Sequence, residues 1–446
     1  MKRLPPLLWV VSLLLPLSGC EKTTSARDGK VVVTYWEKWT GFEAAAMRAV
    51  IADFNASQDH IHVDFSSVSQ IDRRLMLATA GGVPPDVAGL WSHALPIYAE
   101  NNALTPLDSL APESSVRREN YIDVFWQLCS YRGHLFALPA TPTSIALVWN
   151  KKLFREAGLD PERPPRSIAE LEQYNEKLAK YRPDGRLERI GFLPEEPGWW
   201  NAMWGYCFGA SLWDKDRTVT IDSPENIAAY QWIESYPKRF GAANLLAFRD
   251  GFGNFASPQN PFLSGRLAME LQGAWIYNFI KSYAPAGFEW GVASIPTADP
   301  ERLKDVSIVE ADVLVIPAGA KHPKEAFEFL AYVNSQKPME KLCLGQLKFS
   351  PLREYSPDFL AKHPNPYIAD FLRLAKSPNA KYVPRIPTWT SFSSDMRNAV
   401  GKIWAGKASA VDALAEVKLR QQQLLDHRMQ RWDRLSPKIT AEWSKQ

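Results

Sequence analysis

Apolar positions along this chain change period in a regular order. Val31-Val32-Val33 with Tyr35 form a continuous apolar run, the pattern of a strand buried on both faces. Trp36 to Thr40 are expected in the loop at its carboxyl end. Met47, Val50, Ile51 and Phe54 follow at helical spacing between Gly41 and Asn55. Ile61, Val63 and Phe65 alternate with His62 and Asp64, which predicts a second strand. Ile71 to Ala80 reads as a helix stopped by Gly81-Gly82 and Pro84-Pro85, and Asp86 to Trp91 as a third strand. A β-α-β-α-β order predicts an open α/β sheet, which takes ligands outside the carboxyl ends of its strands. Trp36, Glu37, Trp39 and Trp91 are expected at that edge, with Gln70 and Arg73 after the second strand.

A second unit begins after Leu138-Pro139. Ile145 to Trp149 is strand-like, Asn150 to Phe154 turns into a short helix, and a further helix is expected from Ile168 to Tyr181. Leu267 to Leu271 and Val313 to Ile316 read as strands, ended by Gly273 and Pro317. Pro323 starts a helix with Phe327, Leu330 and Ala331 on one face. Ser409 and Asp412 form a capping pattern that opens a long amphipathic C-terminal helix running toward Trp432. No internal repeat interrupts this order.

The chain begins differently. Lys2-Arg3 precede an apolar run from Leu7 to Leu17, and Leu17-Ser18-Gly19-Cys20 closes it. A cationic start, a short apolar stretch and small residues before a cysteine read as a lipoprotein export signal over residues 1–19. The run is too short, and too interrupted by prolines, for a membrane-spanning helix. Its resemblance to a lipobox implies cleavage before Cys20 and acylation of that thiol. Residues 20–30 then form a polar, flexible tether to a membrane surface.

The whole chain has 446 residues, with 52 Lys+Arg against 49 Asp+Glu. Loss of Lys2 and Arg3 with the signal brings the charges nearer balance, which argues against nucleic acid as the main partner. The remaining length suits two lobes with separate cores. Cys129, Cys207 and Cys343 would be left, an odd number without C-x-x-C spacing, which permits at most one bridge and opposes a zinc site. Aromatic content is the stronger signal, with 17 Trp in the chain.

Taken together, several motifs resemble the extracellular solute-binding proteins of ABC importers, in particular the carbohydrate-binding group of the maltose-binding proteins. They are Trp36-Glu37-Lys38-Trp39-Thr40-Gly41 through Phe54-Asn55, Gly82-Val83-Pro84-Pro85-Asp86-Val87, and Leu138-Pro139 before Trp149-Asn150-Lys151. Later come Phe262 to Met269 with Gly273-Ala274-Trp275, then Ile316-Pro317 with Ala326 to Leu330. Their order, from about Val31 to about residue 420, carries more than any one of them. Two features depart from the family pattern: Trp149 stands where Tyr is common, and Glu310-Ala311-Asp312 where many members have two glycines.

The resemblance implies an α/β, two-lobed periplasmic-binding-protein-like fold of type II. Each lobe is an open sheet flanked by helices, with a ligand cleft between them. It places lobe 1 at 31–142 plus 308–352 and lobe 2 at 143–307 plus 353–446, closing as a hinge. It also implies a monomer without cofactor or catalytic activity. Such a monomer would take a carbohydrate at the periplasmic or extracellular side of a membrane and deliver it to the transmembrane subunits of an ABC permease.

A sugar ring has weakly apolar C–H faces and a rim of hydroxyls, so its site needs flat aromatic platforms and directional polar groups. Trp36, Trp39, Trp91, Trp199, Trp200 and Trp275 are the platform candidates, with core packing as the competing role for each. Trp204 and Trp389 are weaker. Glu37, Gln70, Asp86, Glu310 and Asp312 are the polar candidates, since a carboxylate accepts from neighbouring hydroxyls. Asp86 also suits a structural role after Pro84-Pro85, and Glu43 that of a first-turn helix acid.

A glycoside hydrolase would use similar groups, and Glu195-Glu196 or Glu310 with Asp312 suggest it, but nothing in the spacing fixes a carboxylate separation. His60-x-His62 lacks the partners of a metal site. Gly251 to Ala256 loosely fits a dinucleotide loop, without the buried strand that such a loop follows. The remaining alternative is a binding lipoprotein for a polyamine, peptide or polyol, or a sensor without transport.

Overall fold

The computed structural model describes residues 29–111, 116–214 and 217–444. The export signal, Cys20 and nearly all of the tether lie outside the described residues.

Five elements open the fold: Val31–Glu37 (β1), Gly41–Ser57 (α1), Ile61–Ser67 (β2), Ile71–Ala80 (α2) and Val87–Trp91 (β3). β1 runs parallel to β2 along its whole length, from Val31 opposite Ile61 to Glu37 opposite Ser67. β3 joins β1 at Tyr35–Val87 and Trp36–Ala88. Trp36 and Glu37 thus belong to the strand rather than to the loop expected after Tyr35. Pairing with β2 carries them, and Tyr35 on the same face donates its hydroxyl to Glu37 at 2.6 Å.

The second unit contributes Ala137–Ser144 (β4), Ala146–Asn150 (β5), Pro224–Phe240 (α3), Met269–Gln272 (β6), Ile276–Tyr283 (α4) and Trp290–Ala293 (β7). The chain then returns along Ser307–Val315 (β8), which includes Glu310 and Asp312 and is longer than the apolar run suggested. β8 pairs antiparallel with β3, from Asp312–Trp91 to Val315–Ala88. On its other side it pairs with β4, with a register shift between Ala311 and Val313. Pro139 and Pro142 fit β4 because it is an edge strand, where a missing N–H breaks no ladder. Ala380–Lys381 (β9) completes the six-stranded sheet, ordered β9-β8-β3-β1-β2 with β4 on β8. The second sheet is three-stranded and antiparallel, ordered β6-β5-β7.

The apolar side chains separate along β5. Ala146 and Val148 face a cluster that includes Val33, Tyr35, Met47, Phe54, Val313 and Trp290, while Leu147 and Trp149 face a second with Met269, Tyr230, Phe392 and Leu414. This alternation is the period of two of a strand buried on both faces. Cys129, Cys207 and Cys343 are all buried and free.

Pro323–Val333 (α5) and Gln336–Gln346 (α6) cover the large sheet beside α1, and Trp389–Trp404 (α7) packs with α3. Ala410–Trp443 (α8) is capped by Ser409, whose hydroxyl accepts from the Asp412 N–H at 3.1 Å, as the capping pattern predicts. At 1.5 Å per residue this helix is about 50 Å long. It reaches both cores: Val417 and Leu425 lie in the second, Trp432, Ile439 and Trp443 in the first. The segment 353–446, expected whole in lobe 2, contributes to the first cluster also through Phe359, Ile368 and Phe371.

The far end of α8 is held by rings. Trp443 lies 4.9 Å from Phe136 and 5.2 Å from His134, and the Arg132 guanidinium sits 4.3 Å over Trp432. The indole N–H of Trp443 donates to Asn102 at 3.1 Å. Trp443→Ala should therefore lower the unfolding free energy by about 3–4 kcal/mol. Urea denaturation reads this directly, and an unshifted midpoint would show that the helix end carries no stability.

Candidate functional site

Two groups of aromatic and polar residues meet at the crossover strands. The first stands at the carboxyl edge of β1 and β3. Trp91 ends β3 opposite Asp312 and is 39% exposed. His93 stacks on it, with ring centres 6.0 Å apart and an 8° tilt, and places Nδ1 3.8 Å from the Glu310 carboxylate. Glu310 is partly exposed, Trp36 half-buried, and Gln70 exposed at the start of α2 on left-handed backbone, φ 52°.

Beneath this edge lies a buried charge network. Lys38 Nζ is 2.9 Å from Asp312 and 3.1 Å from Glu37, and Lys348 Nζ is 3.3 Å from Asp312 and 3.1 Å from Glu43. Lys38 also lies 5.0 Å from the Trp91 ring centre and 5.2 Å from that of Trp39. Burial alone would raise the Asp312 pKa, but the two ammonium groups outweigh it and hold the carboxyl below its usual range. For Glu37 burial wins over Lys38 and Tyr35, and its pKa is raised.

Glu37 is fully buried, and a Cβ at Gly89 would fall 1.8 Å from its Oε2. The carboxylate occupies the space of the missing side chain.

The second group is built on β6 and the loop before it. Trp199 is 47% exposed, with ring centres 5.0 Å from Phe255 and 6.2 Å from Trp275. Phe255 continues to Phe279 on α4 at 4.8 Å, and Phe279 to Phe42 on α1 at 6.4 Å, so an aromatic row crosses from one lobe to the other. Trp275, half-buried, donates its indole N–H to Gln272 Oε1 at 2.9 Å. Gln272 in turn donates to Glu270, a fully buried carboxyl. Burial, with a smaller contribution from Glu196, pushes the Glu270 pKa up to about 8 against the Gln272 hydrogen bond. Glu195 and Glu196 both face Arg249, at 3.0 and 3.7 Å, and burial raises their pKa values too.

The two groups join at Thr143. It pairs with Glu310 across β4 and β8, and its hydroxyl and the Trp275 ring lie 2.6 and 2.4 Å from where a Gly273 Cβ would stand. Half-exposed rings from both lobes therefore flank one stretch of crossover strand, with Glu310 as the acid beside it.

Of the residues singled out by sequence, Trp36, Trp91, Trp199, Trp275, Glu310 and Gln70 keep exposed surface. Glu37, Trp39, Asp86 and Trp200 do not. Asp86 accepts from the Thr34 N–H and hydroxyl at 2.9 and 2.8 Å and from the N–H groups of Lys321 and His322 at 3.0 Å. Trp200 is 5% exposed and donates to the Leu271 carbonyl at 3.3 Å. Asp312 is held between its two lysines.

Sequence reasoning missed Lys38, His93, Thr143, Glu270, Gln272 and Phe255. Only the Glu270-Leu271-Gln272 alternation before Gly273-Ala274-Trp275 carried a readable signal.

A sequence profile described as "Bacterial extracellular solute-binding protein" matches residues 40–340. A maltotriose-binding protein of Pyrococcus abyssi is 22% identical over 392 residues, covering 87% of this chain and 78% of its own. A putative binding protein of Brucella abortus is 24% identical over 429 residues, covering 94% and 98%. Among solved structures, CpMnBP1 with mannotriose bound superposes with a TM-score of 0.78 at 28% identity, covering 87% of this chain and 99% of that one. The sugar-binding protein MalE of Xanthomonas citri shares the fold, with a TM-score of 0.75 at 21% identity over 90% and 99%. These relatives are binding proteins, not enzymes.

Two measurements check the buried polar groups. The unfolded Glu270 carboxyl ionises near 4.5 and the folded one near 8, so the unfolded chain binds fewer protons between these values. That contribution makes stability fall as pH rises from about 4.5 to 8 and level off above. Glu270→Gln should match the parent near pH 4 and exceed it by roughly 2–4 kcal/mol at pH 8. Parallel denaturation curves at all pH values would refute this. Gly89→Ala should cost about 1–3 kcal/mol in the same assay, because its methyl displaces the Glu37 carboxylate.

Proposed function

The chain belongs to the bacterial extracellular solute-binding protein family, and we propose that it binds a sugar or short oligosaccharide between its two lobes and hands it to an ABC permease. One observation carries the choice of ligand: Trp91 on β3 and Trp199 beside Trp275, 39% and 47% exposed, belong to the two groups that join at Thr143 and Glu310. A large ring left half in water near buried acids suits a ligand with an apolar face and a polar rim. The mannotriose and maltotriose of the relatives have both.

Binding shifts an equilibrium. Only the closed arrangement offers the solute contacts from both lobes, so the solute favours closure by the difference in its affinity for the two states. The permease would read the closed surface. Glu310 and His93 supply polar partners at the sugar rim, and each hydroxyl left unpaired after water is excluded costs about 1–3 kcal/mol. That cost is the basis for choosing among epimers.

The lipoprotein signal supports anchoring through an acylated Cys20, with residues 20–30 as the tether and the domain facing the periplasm or cell exterior as a monomer. No helix among the described residues is long and apolar enough to cross a membrane.

Thermal unfolding of residues 21–446 with mannobiose, mannotriose and maltotriose tests the ligand class, with spermidine and a tripeptide as controls. A solute at 100 times its dissociation constant adds about 2.7 kcal/mol to stability. A rise with a saccharide alone supports the proposal; a rise with spermidine or the peptide alone overturns it. Trp275→Ala should weaken saccharide binding by about tenfold or more with an unchanged circular dichroism spectrum. Unchanged affinity would remove Trp275 from the site.

A further inference from the structure

Trp275 is held on three sides, on one of them by a group that itself has no access to a solute. Gln272 accepts its indole N–H at 2.9 Å. The ring and the Thr143 hydroxyl both crowd the bare Cα of Gly273, so closely that a Cβ there would be 2.4 Å from Cζ3 and 2.6 Å from Oγ1. Trp199 closes the third side at 6.2 Å. Gln272 is fully buried and Glu270 1% exposed. They stand two apart on β6, on the same face, opposite Ala146 and Val148 of β5.

We propose that Glu270 and Gln272 are positioning residues that fix the plane of Trp275, and through it the orientation in which the second lobe accepts a sugar ring. The inference rests on the reading of Trp275 as a platform.

The chemistry runs one way. An indole N–H is only a donor, so Gln272 must turn its carbonyl oxygen to the ring. Its NH₂ then points away and needs an acceptor in a place without water. Glu270 supplies one, whether its carboxyl is ionised or carries a proton. The charged neighbours are Glu196 and, with it, Glu195 and Arg249. With Glu196 opposing a second negative charge, the buried carboxyl keeps its proton at neutral pH. It therefore satisfies the amide without bringing an unpaired charge to the lobe.

A residue that only filled space would be replaceable by any side chain of similar volume. A relay is not: a neutral acceptor at position 270 preserves it, and an apolar side chain at 270 or 272 breaks it.

Four single variants of the full-length protein, Glu270→Gln, Glu270→Leu, Gln272→Leu and Trp275→Phe, separate these cases. In protein labelled with ¹⁵N-tryptophan, Trp275→Phe identifies the indole N–H signal. That signal should be sharp and slow to exchange in the parent and in Glu270→Gln. It should shift and exchange faster in Gln272→Leu and Glu270→Leu. Titration with mannotriose and maltotriose should show about tenfold weaker binding for both Leu variants and less than about twofold for Glu270→Gln. An unchanged indole signal in Gln272→Leu overturns the relay, as does parent-like affinity in both Leu variants where Trp275→Ala loses binding. If Trp275→Ala leaves affinity intact, or neither saccharide binds, the platform reading fails instead, and the indole signal alone decides whether Gln272 orients the ring.

Discussion

The antiparallel pairing of β4 with β8 is the constraint on which the site depends. Residues from the two lobes come together only because these strands run between the sheets side by side. Thr143 and Glu310 sit on one rung of that ladder. The first shares the space over Gly273 with the Trp275 ring, and the second faces His93 and the edge that carries Trp91. The register shift between Ala311 and Val313 sets two residues of β4, Ala140 and Thr141, against Asp312 alone, while Asp312 still pairs with Trp91 on β3. A bulge of this kind re-aims a side chain. Here the bulged strand meets Asp312 with the Thr141 hydroxyl, which donates to its carboxylate at 3.2 Å beside Lys38 and Lys348, and removing that carboxylate would leave two buried ammonium groups short of a counter-charge.

Burial alone does not decide what an acid does in this protein. Asp312 and Glu270 are both withdrawn from water, yet the first is held ionised and the second protonated at neutral pH. The difference lies in the partners, two lysines against one amide and a neighbouring acid. Pairs of acids pushed in opposite directions commonly mark functional sites. Both act here from beneath the surface. One holds the edge that carries Trp91, the other the residue that receives the Trp275 N–H, and Glu310 is left partly exposed.

How much of this was legible depended on whether the deciding contact was local. The β-α-β-α-β order was readable because periods of two and 3.6 alternate cleanly from Val31 to Trp91, and Ser409 announced α8. Glu37 was misplaced because a polar residue after an apolar run looks like a loop, and only pairing with Ser67 extends the strand. Trp39, Trp91, Trp199 and Trp200 have similar sequence surroundings. Two are buried and two exposed because their neighbours come from distant segments. Lys38 gave no signal, since a lone lysine ordinarily reads as solvated and the residue that buries it, Asp312, lies on another strand. Cys20 and the export signal lie outside the described residues.

Helix α8 at first sight conflicts with a hinge, since one rigid rod is fixed in both cores. Its far anchor resolves the conflict. Arg132, His134 and Phe136, which hold Trp432 and Trp443, immediately precede Ala137, the first residue of β4. In a hinge about β4 and β8, an attachment beside β4 is displaced less than one at the rim of a lobe. Pro437 lies between Trp432 and Ile439 and has no N–H to give to the preceding turn, so the helix bends most easily within its anchored end. Rotation about β4 and β8 is thus compatible with both ends of α8 remaining packed. The same geometry opposes twist of one lobe against the other, because a twist would carry the second-lobe end of the helix sideways while its aromatic anchor stayed in place.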